Sequence, residues 1–100
     1  MRSHEILTLL GFAAKARKLM RGTDICLKAA KNKKICLIIM DESASENTAK
    51  KIKNTCIANE MPMLKVAGLG EAIGNPGTMV AGISDKKMAE ALMNKFSKQD

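Results

Sequence analysis

Residues 35–40 read ICLIIM and residues 41–51, which follow directly, read DESASENTAKK. Six consecutive apolar residues, three of them isoleucine, predict a strand covered on both faces, since a strand with one wet face would alternate. A strand of that kind needs neighbours on both sides and belongs in the middle of a sheet. The next segment changes period. Ser43-Ala44-Ser45-Glu46 is a capping-box pattern, and from it to about Asn59 the apolar residues Ala49, Ile52 and Cys56 fall on one side of a helix, with Lys50, Lys51 and Lys53 on the others.

Toward the N-terminus, residues 4–18 repeat Ile6, Leu9, Leu10, Ala13 and Ala14 at three- and four-residue steps, the stripe of a helix packed on a core. A second helix begins at Gly22-Thr23, where Thr23 is expected to cap the free amides, and runs through Ile25, Cys26, Ala29 and Ala30. Asp24 stands in its first turn and Lys28, Lys31 and Lys33 toward its end, in keeping with the helix dipole. Toward the C-terminus, Met63–Val66 forms a short strand after Pro62. Leu69–Ile73 forms a short helix stopped by Gly74, and Thr78–Ile83 forms a further strand. A last helix from Asp85 turns Met88, Leu92 and Phe96 inward, and residues 97–100 are expected to fray. Strands alternating with helices imply an α/β/α layering around a small sheet, parallel at least in part.

The 100 residues, 46% apolar and 27% charged, suit one domain over 1–100 with a modest core rather than a disordered chain. No apolar run approaches the roughly 20 residues of a membrane span, and the N-terminus lacks a signal-peptide layout, so a cytoplasmic protein with no membrane association is expected. Three cysteines, Cys26, Cys36 and Cys56, widely spaced in apolar surroundings, fit small core residues in a reducing compartment. With two aromatic residues and no Tyr or Trp, a base-stacking sheet surface is not expected. The net charge of +7 is unevenly spread. Residues 1–34 hold nine Lys and Arg against Glu5 and Asp24, whereas residues 35–100 hold eight of each sign. The entire excess lies on the first third, the pattern either of a polyanion-binding face or of a solvated basic surface kept for solubility.

Little in the chain favours catalysis. His4 is the lone histidine, with no paired carboxylates or cysteines at metal-ligand spacing, so neither catalytic residues nor a metal or other cofactor is expected. GLGEAIG at residues 68–74 departs from the dinucleotide fingerprint in its spacing and reads as a turn with a short helix. Arg21-Gly22-Thr23 is a better anion site, because amides at a helix start stand there among cations.

Three segments in order, KARKLMRGTDICLKA (15–29), ICLIIM with DESASENTAKK (35–51), and LGEAIG (69–74) with TMVAGISD (78–85), resemble the kink-turn-binding ribosomal protein superfamily, most of all its small bacterial YlxQ-type members. The resemblance spans nearly the whole chain. It implies a three-layer α/β/α sandwich with a small mixed four-stranded sheet and an RNA-binding edge. In kink-turn binders a Gly-x-Asn-Glu-x-x-Lys segment opening the second helix enters the RNA major groove at tandem sheared G·A pairs. Gly22 and Lys28 match its ends, while Asp24 and Ile25 stand in the Asn and Glu positions. An ionised Asp only accepts hydrogen bonds and Ile makes none, so base reading there is altered. The loop after LGEAIG, here Asn75-Pro76-Gly77-Thr78, is the family's second contact.

The expected function is therefore a non-catalytic, ribosome-associated protein, acting as a monomer on structured RNA of kink-turn or ribosomal type. Gly22, Thr23, Asp24, Lys28 and the loop Asn75, Pro76, Gly77 and Thr78 would meet the RNA. Lys18 and Arg21, with Lys31, Lys33 and Lys34 at the periphery, would hold phosphates. The alternative is a protein-interaction adaptor whose basic face docks an acidic partner. An enzyme fragment, such as the substrate-recognition domain of an RNA methyltransferase, would need a cofactor domain for which this chain has no room.

Overall fold

The apolar run becomes a strand, Leu37–Asp41, at the centre of a four-stranded sheet in the computed structural model, which describes residues 4–97. In chain order the elements are α1 (His4–Lys15), β1 (Leu19–Arg21), α2 (Thr23–Lys31), β2 (Leu37–Asp41), α3 (Glu46–Ala58), β3 (Met63–Val66), α4 (Leu69–Ala72), β4 (Val80–Ile83) and α5 (Lys86–Ser97). The sheet order is β1-β4-β2-β3. β2 pairs parallel with β3, with Ile38 opposite Met63, while β4 runs antiparallel to both of its neighbours, Ile83 standing opposite Leu37 on one side and Leu19 on the other. All five residues of β2 and all four of β4 are buried, as two central strands must be.

The sheet separates two apolar layers. On one side Ile6, Leu10 and Ala13 of α1 and Ala89 and Leu92 of α5 meet Leu37, Ile39, Ala81 and Ile83, with Leu69 of α4 closing the end. On the other, Cys26, Ala29 and Ala30 of α2 and Ile52 and Cys56 of α3 meet Ile38, Met40 and Val80. Alternate residues of β2 thus serve opposite layers, which is why its sequence is apolar without interruption. Gly82 sets the approach of the second layer: a Cβ there would lie 2.7 Å from Ile35 Cδ1 and 3.4 Å from Cys26 Sγ. The three-layer α/β/α sandwich and the mixed four-stranded sheet agree with expectation.

Several boundaries differ. α1 stops at Lys15 rather than residue 18, because Arg17 turns left-handed (φ 60°) and frees Lys18 to lead into β1. β1 carries no periodic signal in three residues and exists because it pairs with β4. β4 starts at Val80, two residues later than Thr78, whose amide closes a turn onto the Asn75 carbonyl (3.2 Å). The N-cap of α3 is Ser45, whose Oγ accepts from the Thr48 amide at 3.2 Å; Ser43 is drawn away by hydrogen bonds to Asp41. The fraying expected for residues 97–100 lies, beyond Ser97, outside the described residues.

Candidate functional site

The turn from β1 into α2 is fixed by Gly22. Its amide donates to the Val80 carbonyl (2.9 Å), extending the β1–β4 ladder by one bond, and its carbonyl accepts from Cys26 (3.0 Å), starting the helix. Gly22 therefore occupies the N-cap, and Thr23 is the first helical residue rather than the cap expected from the sequence. The chain holds φ 110° and ψ 143° at this point, a conformation that belongs to glycine. Without a side chain, Gly22 leaves the first-turn amides of α2 uncapped, and these are the groups that make a helix start attractive to anions.

The second segment arrives through α4. Asp41, at the end of β2, is buried, and its Oδ1 accepts from the Leu69 amide (2.9 Å) while Oδ2 accepts from the Ser43 amide (2.9 Å) and the Ser43 hydroxyl. Burial pushes the Asp41 carboxyl up, but hydrogen bonds from the Ser43 hydroxyl and from the Leu69, Ser43 and Gly68 amides outweigh it and hold the group below the ordinary aspartate value. The carboxylate thus pins the start of α4 to the sheet. Gly70 then brings the loop close: a Cβ there would meet the Asn75 carbonyl oxygen and the Gly77 nitrogen, each at 3.0 Å, and Pro76 Cα at 3.1 Å. The Asn75 amide also donates to the Gly70 carbonyl (2.9 Å), and the Met79 carbonyl accepts from the Asp41 amide (2.8 Å).

Together these contacts set Arg21, Gly22 and Thr23 facing Asn75, Pro76, Gly77, Thr78 and Met79 around one open groove of about 510 Å³. Two segments more than fifty residues apart in sequence form its walls. Asp24 and Lys28, four residues apart on α2 and both exposed, flank the groove without lining it. Ile25 is 57% exposed at the same helix start. Among the described residues no ion pair engages Arg21 or Lys28, so both cations are available to an outside anion.

Not every expected contact gathers here. Lys18 lies at the opposite end of β1, where its Nζ is 3.7 Å from Asp85, and Lys31 ends α2 a helix length from the groove. Lys33 and Lys34 follow it in the turn toward β2. Met79, Asp41 and Gly70 are parts of the site that sequence reading missed. The one available signal was an acid closing an apolar strand. The three cysteines are free thiols, and burial pushes Cys26 up to about 12, in keeping with a core role. Among the described residues, no cluster of His, Cys, Asp or Glu is placed to hold a metal and no helix is long and apolar enough to cross a membrane.

The chain is thus an α/β/α sandwich that opens a cation-flanked, amide-lined groove at one end of its sheet. The chain belongs to the ribosomal protein L7Ae/L30e/S12e/Gadd45 family, whose profile matches residues 4–93. It is 36% identical over 97 residues to the RNA-binding protein YlxQ of Bacillus subtilis, covering 94% of this chain and 97% of that protein. It is 32% identical over 87 residues to the RNA-binding protein YlxQ of Enterococcus faecium, covering 84% of each. A solved Bacillus halodurans protein of unknown function superposes with a TM-score of 0.90 at 32% identity, covering 94% of this chain and 98% of that one. A Giardia lamblia 15.5 kD RNA-binding protein shares the fold at 22% identity, with a TM-score of 0.81 over 95% of this chain and 87% of that one.

Proposed function

We propose that this chain is a non-catalytic RNA-binding protein, ribosome-associated and cytoplasmic, that acts as a single copy and seats structured RNA of the kink-turn type in the groove between Arg21-Gly22-Thr23 and Asn75–Met79. The observation that carries the reading is the convergence of an uncapped helix start with a tightly held loop on one groove, beside two unengaged cations. The relatives named as RNA-binding proteins support the RNA-binding part of this reading. Backbone phosphates would meet the first-turn amides of α2, Arg21 and Lys28, and these contacts would supply most of the affinity. Gly22 permits the close approach. Pro76 and Thr78 would pack on a ribose or base from the opposite wall. Asp24 accepts from a guanine amino or imino group, and Ile25 contributes an apolar surface where a polar residue would read a base edge.

The test is binding of a labelled kink-turn RNA at near-physiological salt with excess tRNA, beside a control in which Watson–Crick pairs replace the G·A pairs. A preference of tenfold or more, about 1.4 kcal/mol, is expected, and equal binding to both would refute kink-turn recognition. Arg21→Ala with Lys28→Ala should weaken binding and flatten its salt dependence. Failure to bind either RNA would favour the adaptor reading, in which the basic face docks an acidic protein.

A further inference from the structure

The sheet has two ends, and the groove occupies one of them. At the other, α1, α2 and α3 all terminate in the same closure. Arg17 and Lys18 amides donate to Ala14 (3.1 Å) and Ala13 (2.9 Å), and Lys33 and Lys34 amides donate to Ala30 (3.1 Å) and Ala29 (2.8 Å). Glu60 and Met61 amides donate to Ile57 (3.3 Å) and Cys56 (2.8 Å). This paired bonding puts one residue past each helix in the left-handed region, with φ of 60° at Arg17, 58° at Lys33 and 52° at Glu60. Glycine usually fills that position. Two of the three turns carry a cation there instead, followed at once by a second.

The strand register brings these turns together. Leu19 and Leu37 both stand opposite Ile83, and the Cys36 amide bonds the Ile83 carbonyl (2.8 Å), so the segments before β1 and β2 flank the start of α5. That start carries Lys86 and Lys87. Cations at the ends of α1 and α2 complement the helix dipoles, which accounts for Arg17, Lys18, Lys33 and Lys34 without any ligand. It does not account for Lys86 and Lys87, which crowd the positive end of α5. The acids nearby are Asp85, Glu60 and Glu90, and Asp85 is already committed to the Met88 amide (3.0 Å) and to Lys18. All six cations are exposed.

We infer that this far end is a second RNA-backbone contact, so that one copy of the chain holds two RNA segments, one at each end of its sheet. The inference rests on the RNA-binding reading of the groove. From Met79 to Ser84 the chain advances five residues, about 17 Å at strand rise. That exceeds the roughly 8 Å screening length at physiological salt, so the two ends act as separate electrostatic sites. Exposed point charges spread over three separate segments, Arg17-Lys18, Lys33-Lys34 and Lys86-Lys87, suit a continuous polyanion, which needs no fixed side-chain geometry.

The experiment compares wild type, the groove variant Arg21→Gln/Lys28→Gln, and a far-end variant with Lys33, Lys34, Lys86 and Lys87 each changed to Gln. Each is titrated with a plain 20-base-pair RNA duplex at several salt concentrations, and equal melting midpoints confirm that all are folded. The far-end variant should lose at least tenfold in affinity and about 3 in the slope of log affinity against log salt, with the groove variant retaining most duplex binding. Wild type held on an immobilised kink-turn RNA should also capture a second, labelled duplex, and the far-end variant should not. Unchanged affinity and slope in the far-end variant would overturn the inference. So would wild-type binding to polyglutamate with none to duplex, which would assign this end to an acidic protein. Loss of kink-turn preference is measured separately and leaves the duplex readouts standing.

Discussion

Asp41 joins three parts of the molecule through one carboxylate: the end of β2, the turn at Ser43, and the amide that opens α4. Asp41→Asn keeps the shape but puts a donor in place of one accepting oxygen, facing either the Leu69 amide or the Ser43 amide and hydroxyl, and should cost about 1–3 kcal/mol of stability in a denaturant titration near pH 7. The pH dependence has a definite sign. Because the folded group lies below its ordinary value, its stabilisation is fully present above the unfolded carboxylate pKa of about 3.9 and is lost as pH falls through the lower, folded value. The gap between wild type and Asp41→Asn should therefore narrow below about pH 4. A gap independent of pH would mean the carboxylate is not the source. Gly22 makes a second prediction at this scale. Gly22→Ala forces a Cβ into φ 110°, at a cost of about 1–3 kcal/mol, and should lower the melting midpoint together with RNA affinity. The place of Gly22 at the opening of α2 was legible in sequence, since a glycine before a capping-type residue and an apolar helical stripe marks a helix start. The role of Asp41 was not, because the amides it accepts from become neighbours only when β2 and α4 meet.

Among the elements, the loop at residues 75–78 depends on α4 more than on itself. Gly70→Ala would press a methyl group on three backbone atoms at 3.0–3.1 Å, and backbone cannot swing aside as a side chain does. The expected result is a displaced loop: a loss of about 1–3 kcal/mol in stability and weaker kink-turn binding, read by melting and by titration of the labelled RNA. Retention of both at wild-type level would show that the loop tolerates the shift. The long elements were readable because their periods are long enough to register, as with Ile6, Leu10 and Ala13 in α1 or Ile52 and Cys56 in α3. β1 was not, since Leu19-Met20-Arg21 is too short for alternation and owes its form to partners sixty residues away. The cap of α3 was misplaced by two residues because Ser43 and Ser45 are equally good on paper, and only the nearby carboxylate decides between them. For the same reason Lys18 looked like a groove residue from its nearness to Gly22 in sequence, whereas an extended β1 carries the two to opposite ends.

For the molecule as a whole, one sheet shared by two apolar layers implies one unfolding transition. Leu10→Ala empties the α1/α5 layer and Ile52→Ala the α2/α3 layer, and both side chains are fully buried. Each should lower the same transition by about 2–5 kcal/mol, with circular dichroism and thiol exposure of Cys26 and Cys56 reporting identical midpoints. Separate midpoints would show that the layers unfold independently. The charge asymmetry visible in sequence is resolved by the fold into two ends, a division that required the strand register. The sheet's borders carry a further consequence. The segment best suited to templating fibrils, ICLIIM, is enclosed between two neighbours, and the strands left at the margins are poor templates: β1 has three residues, and β3 follows Pro62 and turns Lys65 to solvent. Copies of the chain meeting edge to edge find no long apolar ladder to extend, so it should remain dispersed at concentrations where an exposed strand of that composition would aggregate.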